Sequence, residues 1–351
     1  MNALVLQNLT DIEQQVLTDL ASRFKKVLVT GAGGFLGKAI ALRLHCAGIE
    51  VVGLARGEYP QLSELGIDMR RGDISKLADV SNAAKDCDCV FHVASKAGVW
   101  GSKQSYFAPN VDGAANVIAA CNEHNIQYLV YTSTPSVTFA GRDENGVNES
   151  EPYAETYLNH YGESKAVAEK MMLAASTDSL KVTALRPHLI WGPEDPHLVP
   201  RVIARAEAGR LKLVGKQDKL VDTIYVDNAA LAHLQAALEL TNQAKCAAKA
   251  YYLSNDEPIT MADMLNRILA CKQLPPVSKR VPAGLAFAVG SILESVYHAL
   301  GKQDEPIMTR FVAKQLSTSH YFDISAAKAD FDYQPIVSID EGMRRLRQWL
   351  S

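Results

Sequence analysis

Lys26-Val27-Leu28-Val29-Thr30-Gly31-Ala32-Gly33-Gly34-Phe35-Leu36-Gly37, followed by a helical Lys38 to Leu44, is an apolar run that breaks into glycines and resumes as helix. A buried strand, a glycine turn and a helix in this order aim unpaired backbone N–H groups and the positive end of a helix dipole at one point, which suits a pyrophosphate. Each glycine has its own steric task. Gly31 permits the tight turn, Gly34 lets the backbone approach phosphates, and Gly37 lets the helix pack closely on the strand. A glycine triplet alone is weak evidence, but here the strand precedes it and the helix follows, which is the context a dinucleotide site requires.

Outward from that stretch, the composition is that of a soluble globular chain. The 351 residues are 48% hydrophobic and 21% charged, enough for one large or two modest domains. A formal net charge of -3 makes no field that would gather nucleic acid, so small-molecule chemistry is expected. Six cysteines without a secretory segment read as reduced thiols of a cytoplasmic protein. Cys87-Asp88-Cys89 with His92 has metal-ligating residue types, yet it lies in a strand-like apolar run, which favours buried packing and no metal. Residues 1–24 contain Asp11, Glu13 and Asp19 and so do not form a signal peptide; Leu9, Ile12, Val16 and Leu20 recur at helical spacing and predict a packing or dimer helix.

The second strand, Glu50 to Leu54, ends in Ala55-Arg56-Gly57. About 20 residues past the glycines such a strand end meets the adenosine ribose, where an acid accepts from a free 2′-hydroxyl and an arginine suits a 2′-phosphate. Arg56 stands there without an acid, which favours NADP(H) over NAD(H), the alternative being a solvated loop charge. A short third strand leads to Gly72-Asp73-Ile74; Asp73 could take the adenine amino group or cap the segment after Ser75. The fourth strand, Cys89 to Ala94, runs into Ser95-Lys96-Ala97-Gly98, small enough for backbone to approach the cofactor. Asn110-Val111-Asp112-Gly113 opens a helix, and Tyr128 to Tyr131 is a fifth strand ending in Thr132-Ser133-Thr134-Pro135-Ser136-Val137. This alternation predicts an α/β fold, a doubly wound parallel sheet of the Rossmann kind with the site on its carboxyl edge.

A helix beginning near Tyr157 carries Tyr161 and Lys165, which four-residue spacing places on one face. Among thirteen tyrosines it is the only one with a lysine at that spacing. Composition yields such a pair by chance, so its weight comes from position, one helix after the strand that ends in Ser133 and Thr134. A phenol titrates near ~10, and making it a proton donor and acceptor near neutrality takes a fall of about 3 units, roughly 4 kcal/mol of preference for the phenolate. Lys165 is expected to supply that fall and to hold the nicotinamide ribose. Thr134 is expected to hydrogen-bond the substrate carbonyl, with Ser133 beside it as the alternative, while Tyr161 delivers the proton.

These motifs together, with Arg186-Pro187, resemble the extended short-chain dehydrogenase/reductases over nearly the whole chain. Within them, Tyr131 to Val137 and Leu185-Arg186-Pro187-His188-Leu189-Ile190-Trp191-Gly192-Pro193 are similar to the 3β-hydroxysteroid dehydrogenase group and its sterol-4-carboxylate relatives. His92-Val93-Ala94-Ser95-Lys96-Ala97-Gly98-Val99-Trp100-Gly101 and Asp195-Pro196-His197-Leu198-Val199-Pro200 resemble the bacterial reductases of long-chain olefin formation. That resemblance implies NADPH-dependent reduction of a 2-alkyl-3-oxoalkanoate to the 3-hydroxy acid. It implies cofactor contacts at Gly31, Gly34, Phe35, Leu36, Gly37, Arg56, Asp73, Ile74, Ala94, Lys96, Tyr161, Lys165, Pro187 and Leu189, and a homodimer through residues 110–122 and 157–175. The group's usual serine falls on Thr134. Three other readings share the fold: NAD-linked oxidation of a hydroxysteroid or sterol carboxylate, a non-catalytic nucleotide sensor, and a sugar-nucleotide epimerase. Tyr161 with Lys165 speaks against the sensor, and Arg56 against NAD-linked oxidation.

The domain plan that follows is a helical extension over 1–24, a nucleotide-binding domain over 25–190 to which 220–250 returns, and a substrate lobe with a closing helix over 191–219 and 251–351. Leu220 to Val226, with a helix from Asp227 to Leu240, is expected to return to the nucleotide domain, because Tyr251 to Ser254 then reads as another strand. Pro282 to Leu300 is the most apolar helical stretch, with Leu285, Val289, Ile292, Val296 and Leu300 at helical spacing. It reads as a wall of a hydrophobic pocket, or as a contact for lipid or a partner enzyme; an internal Glu294 makes it too polar to span a membrane.

Overall fold

Val27, Leu28 and Val29 are completely buried because their strand is central in a parallel sheet covered by helices on both faces. The computed structural model describes residues 9–351, so the first eight residues of the expected extension lie outside the described part. The longer elements are α1 (Asp11–Arg23), β1 (Lys26–Thr30), α2 (Phe35–Cys46), β2 (Glu50–Ala55), β3 (Asp68–Arg71), α3 (Leu77–Ala84), β4 (Cys89–His92), α4 (Gly113–Glu123), β5 (Tyr128–Thr132), α5 (His160–Ala174), β6 (Lys181–Pro187), α6 (Leu198–Glu207), α7 (Val226–Thr241), β7 (Ala250–Leu253), α8 (Met261–Cys271), α9 (Ala283–Ala299) and α10 (Ile339–Leu350). The sheet order is β7-β6-β5-β4-β1-β2-β3, all parallel. The order reverses between β1 and β4, and at such a switch point the carboxyl ends of the strands open a crevice. Thr30 Oγ1 closes the floor there, accepting from the Ala94 N–H at 3.1 Å and lying 2.7 Å from His92 Nδ1.

Helix α1 starts with a capping box between Thr10 and Glu13 and buries Val16, Leu17 and Leu20 against α7 and α2. Ile12, expected on its packed face, is exposed, and Glu13 occupies that place. The reason is electrostatic: Glu13 pairs at 2.9 Å with the buried Arg43, which also meets Asp227 at 2.7 Å, tying α1, α2 and α7 together.

The second half differs from expectation at three places. Leu220–Val221 and Ile224–Tyr225 do not extend the nucleotide sheet. The first pairs with Ile259–Thr260 and His320–Phe322 in a small second sheet, and the second pairs with Ile190–Trp191. What returns to the large sheet is α7 and then β7, the strand that Tyr251 to Ser254 predicts, so the domain boundary falls after Leu253 rather than at 250. The third difference is α9. Its apolar stripe faces outward, with Leu285, Ile292 and Leu300 each more than half exposed, while Ala286, Gly290 and Glu294 form the buried face. No helix among the described residues is long and apolar enough to cross a membrane.

Candidate active site

The glycine turn has the shape its sequence implies. Gly31 adopts φ +73°, and a Cβ there would lie 2.9 Å from the backbone of Ala94. At Gly37 a Cβ would sit 2.1 Å from the Gly31 carbonyl oxygen, so α2 can pass this close to β1 only without a side chain. Gly34 is the N-cap of α2 and offers no side-chain cap, which leaves the first N–H groups of the helix facing the crevice. A cradle that any Cβ would fill, at an uncapped helix start, fits the pyrophosphate of a dinucleotide. Tyr59 was not anticipated: its ring lies over Gly33, where a Cβ would come within 2.1 Å of it. The only sequence signal for it is the glycine with no evident φ requirement.

At the adenosine end, Arg56 is exposed on the rim of the crevice beyond β2. Asp73 accepts from the Ser75 N–H at 2.9 Å and the Ser75 hydroxyl at 2.8 Å with one carboxylate oxygen, so it caps the following turn as well as lining the cavity. Those bonds, and more weakly the Arg56 charge, hold its carboxyl below the usual range. Ile74 packs beneath Gly113, where a Cβ would have only 3.0 Å.

Tyr161, Thr134 and Ser133 converge on the cavity at the carboxyl edge. Asn159 caps α5 by accepting the Gly162 N–H at 2.9 Å, which sets where Tyr161 points. Thr134 Oγ1 accepts from the Ser136 N–H at 3.2 Å and acts on the Tyr161 phenol, whereas the buried Ser133 hydroxyl has no partner among the described residues. The expected downward shift of the phenol is not what this arrangement produces. Burial pushes Tyr161 above its ordinary value, and Thr134 opposes this only in part. Lys165 does not reverse it, because its ammonium donates to the Thr132 carbonyl at 2.6 Å and lies 4.2 Å from the Tyr131 ring centre.

Burial brings Lys165 itself down to about 7, against the opposing charge of Glu169. A folded value below the unfolded one of ~10.4 means that charging this lysine costs stability, in full below about pH 7 and less as pH rises toward about 10. Lys165→Met therefore melts at a higher temperature than the parent at pH 6, and the gap closes by about pH 9.5. Melting curves of the two proteins that stay parallel across this range would show that the ammonium is solvated.

Several buried groups around the site were not legible as functional. Asn110 holds the backbone of Lys96 at both ends, accepting its N–H at 2.7 Å and donating to its carbonyl at 3.1 Å, and also donates to Ser164 Oγ on α5 at 2.9 Å. Glu169 on α5 accepts from Arg186 and from the Tyr153 hydroxyl at 2.7 Å. His92, considered beside Cys87 and Cys89, is held neutral by burial, which brings it down to about 3, and burial pushes the Cys87 thiol up to about 12. Among the described residues no group of His, Cys, Asp or Glu is placed to hold a metal.

The crevice continues from the glycine turn past Tyr161 into the second lobe as one cavity of about 1280 Å³. Pro187 and Leu189 line it after β6, Leu189 with φ +45°, a strained conformation for a branched residue. Beyond them the walls are largely apolar, with Leu198, Val202, Leu213, Met261, Leu265 and Phe311, although Arg201, Arg205, Arg210, Lys212 and Arg280 also line the cavity. From α9 only Leu285, Ala286 and Val289 reach this cavity; the rest of its apolar stripe does not.

Comparison with known proteins agrees with this geometry. Residues 28–279 match the 3-beta hydroxysteroid dehydrogenase/isomerase family. A 2-alkyl-3-oxoalkanoate reductase of Shewanella oneidensis is 64% identical over 343 residues, covering 95% of this chain and 89% of its own. A decarboxylating sterol-4-alpha-carboxylate 3-dehydrogenase of Mus musculus is 32% identical over 344 residues, covering 95% and 92%. Among solved structures, an epimerase from Methanothermobacter thermautotrophicus shares the fold with TM-score 0.76 at 18% identity, over 97% of this chain and 95% of that one. With the family match spanning residues 28–279 and relatives of matching length at 64% and 32% identity, the chain belongs to the 3-beta hydroxysteroid dehydrogenase/isomerase family, NAD(P)-dependent oxidoreductases of the extended short-chain type.

Proposed function

We propose that the protein uses NADPH to reduce a 2-alkyl-3-oxoalkanoate to the 2-alkyl-3-hydroxyalkanoate, a step of long-chain olefin formation. The observation that carries this reading is the cavity: one polar end at Thr134 and Tyr161 opens directly into a long apolar arm, which matches a keto acid bearing alkyl chains better than a diphosphate sugar. The reductase of Shewanella oneidensis, at 64% identity, supports it. The glycine cradle would hold a dinucleotide whose nicotinamide, when bound, would supply the hydride for the keto carbon. Tyr161 holds the proton for the carbonyl oxygen, and its burial keeps the phenol protonated, as a donor in reduction must be. Thr134 lies beside the phenol, where its hydroxyl orients the same oxygen and stabilises the charge that develops on it. Lys165, one helical turn from Tyr161, is the cation nearest in sequence to the phenolate that proton transfer leaves behind.

Arg56 supports the choice of NADPH, since a guanidinium at a 2′-phosphate gains a charge-assisted bond worth roughly 10- to 100-fold in affinity. Steady-state assays should give a kcat/KM for NADPH above that for NADH by about that factor, and Arg56→Ser should bring the two together. Equal use of both by the parent would remove this support for NADPH. The substrate is tested by offering a synthetic 2-alkyl-3-hydroxy acid and a 3β-hydroxysterol with the oxidised cofactor. Turnover of the acid is expected, and preference for the sterol would move the protein to the sterol-dehydrogenase reading.

A further inference from the structure

A 3-oxo acid has its carboxyl carbon two bonds, about 2.5 Å, from the keto carbon. If Tyr161 and Thr134 hold the keto oxygen, the carboxylate necessarily enters the same end of the cavity, beside the mouth of the apolar arm. Taking that charge from water requires a cation or several donors close by. The other cations that line the cavity are engaged or stand away from the phenol in sequence and lobe. Arg201 pairs with Glu305, Arg280 with Asp218, Arg205 donates to the Ile307 carbonyl, and Arg210 and Lys212 flank Leu211 in the substrate lobe; Lys165 does not line the cavity and donates to the Thr132 carbonyl. Arg56 belongs to the far, adenosine end.

Lys96 is different. Its ammonium has no carboxylate partner among the described residues; its neighbours are Ser105 Oγ at 2.7 Å and the face of Tyr106, 4.7 Å from the ring centre. Ser105 accepts from it because its own proton goes to the Ser102 carbonyl at 2.7 Å. An ammonium has three protons, so at least one stays free for a ligand. Tyr106 is fully buried, and its ring lies 6.4 Å from that of Tyr161, which puts Lys96 one ring away from the catalytic phenol. The loop is shaped around this side chain. Gly101 adopts φ +143°, and a Cβ there would stand 3.2 Å from Lys96 Nζ and 3.0 Å from Ser105 Oγ. Asn110 fixes the Lys96 backbone to Ser164, three residues from Tyr161 on the same helix, so the ammonium and the phenol are held in one register.

We infer that the Lys96 ammonium binds the carboxylate of the substrate and thereby selects 3-oxo acids over uncharged ketones. This assignment rests on the proposed function and adds to it a specificity-determining residue whose backbone faces the cofactor while its side chain faces the substrate.

The test compares a 2-alkyl-3-hydroxyalkanoate with its methyl ester, both oxidised with NADP, in the full-length protein, Lys96→Met and Lys96→Arg. The quantity read is the ratio of kcat/KM for acid to that for ester, which does not depend on the active fraction of a variant. The parent should prefer the acid, Lys96→Met should lower the ratio by about 10- to 100-fold, and Lys96→Arg should restore most of it. A ratio unchanged in Lys96→Met overturns the assignment, including the case in which both substrates slow together, because that is the signature of a lysine holding cofactor. A parent that oxidises acid and ester equally well overturns the assignment alone. A parent inert toward the acid removes the proposed function and this assignment with it.

Discussion

Tyr161→Phe should lower kcat by about 10³-fold, within the range set by loss of a positioned general acid, and leave the protein folded. Among the described residues no backbone group is hydrogen-bonded to the phenol oxygen, so removing it strands no buried backbone group and costs little stability. The ring itself keeps its place beside Tyr106. Cofactor affinity, read by fluorescence titration, should therefore stay close to that of the parent while turnover collapses. Full turnover in the phenylalanine variant would show that another group delivers the proton. The raised pKa of the phenol adds a directional expectation: as a donor it is in the correct state through neutral pH, so the reductive rate should fall only on the alkaline side.

The features legible in the sequence are those whose cause is local. The glycine turn could be read because each steric demand falls within a dozen residues, and Gly31 and Gly37 meet those demands at 2.9 and 2.1 Å. The alternation of strands and helices up to Arg186 could be read for the same reason. What could not be read depended on partners distant in the chain. The periodicity of residues 282–300 identifies α9 as a helix but does not say which side faces inward. The buried side is chosen by Gly290, whose missing side chain lets the helix approach the Thr309 backbone to where a Cβ would have 2.6 Å, and by Glu294, which accepts from the Arg310 N–H at 2.6 Å. Close backbone approach and one buried charge outweigh the stripe of leucine, isoleucine and valine. Likewise the spacing of Tyr161 and Lys165 places them on one face but cannot show that the Thr132 carbonyl claims the ammonium. Asn110 was visible as part of a motif, yet its grip on Lys96 and Ser164 exists only once three separate segments meet.

Glu169→Ala should be the most destabilising single change near the site. Glu169 and Arg186 are both buried, and the carboxylate takes Arg186 Nε at 3.0 Å and the Tyr153 hydroxyl at 2.7 Å. The guanidinium lies 5.0 Å from the Tyr252 ring centre and already has one nitrogen, Nη1, without a partner among the described residues, so it has no other acceptor there to turn to. Removing the carboxylate leaves a buried, uncompensated charge, at a cost of about 3–5 kcal/mol and roughly 4–7 °C in melting temperature. The pair also joins α5, which carries Tyr161 and Lys165, to β6, from which Pro187 and Leu189 continue along the cavity wall. Turnover by the folded fraction should thus fall as well, through displacement of the phenol rather than loss of a reacting group. The double variant Glu169→Leu with Arg186→Met separates the two effects: with no charge left to desolvate, it should recover most of the melting temperature. If Glu169→Ala costs less than about 1 kcal/mol, water reaches the guanidinium and the pair is not what fixes the catalytic helix to the sheet.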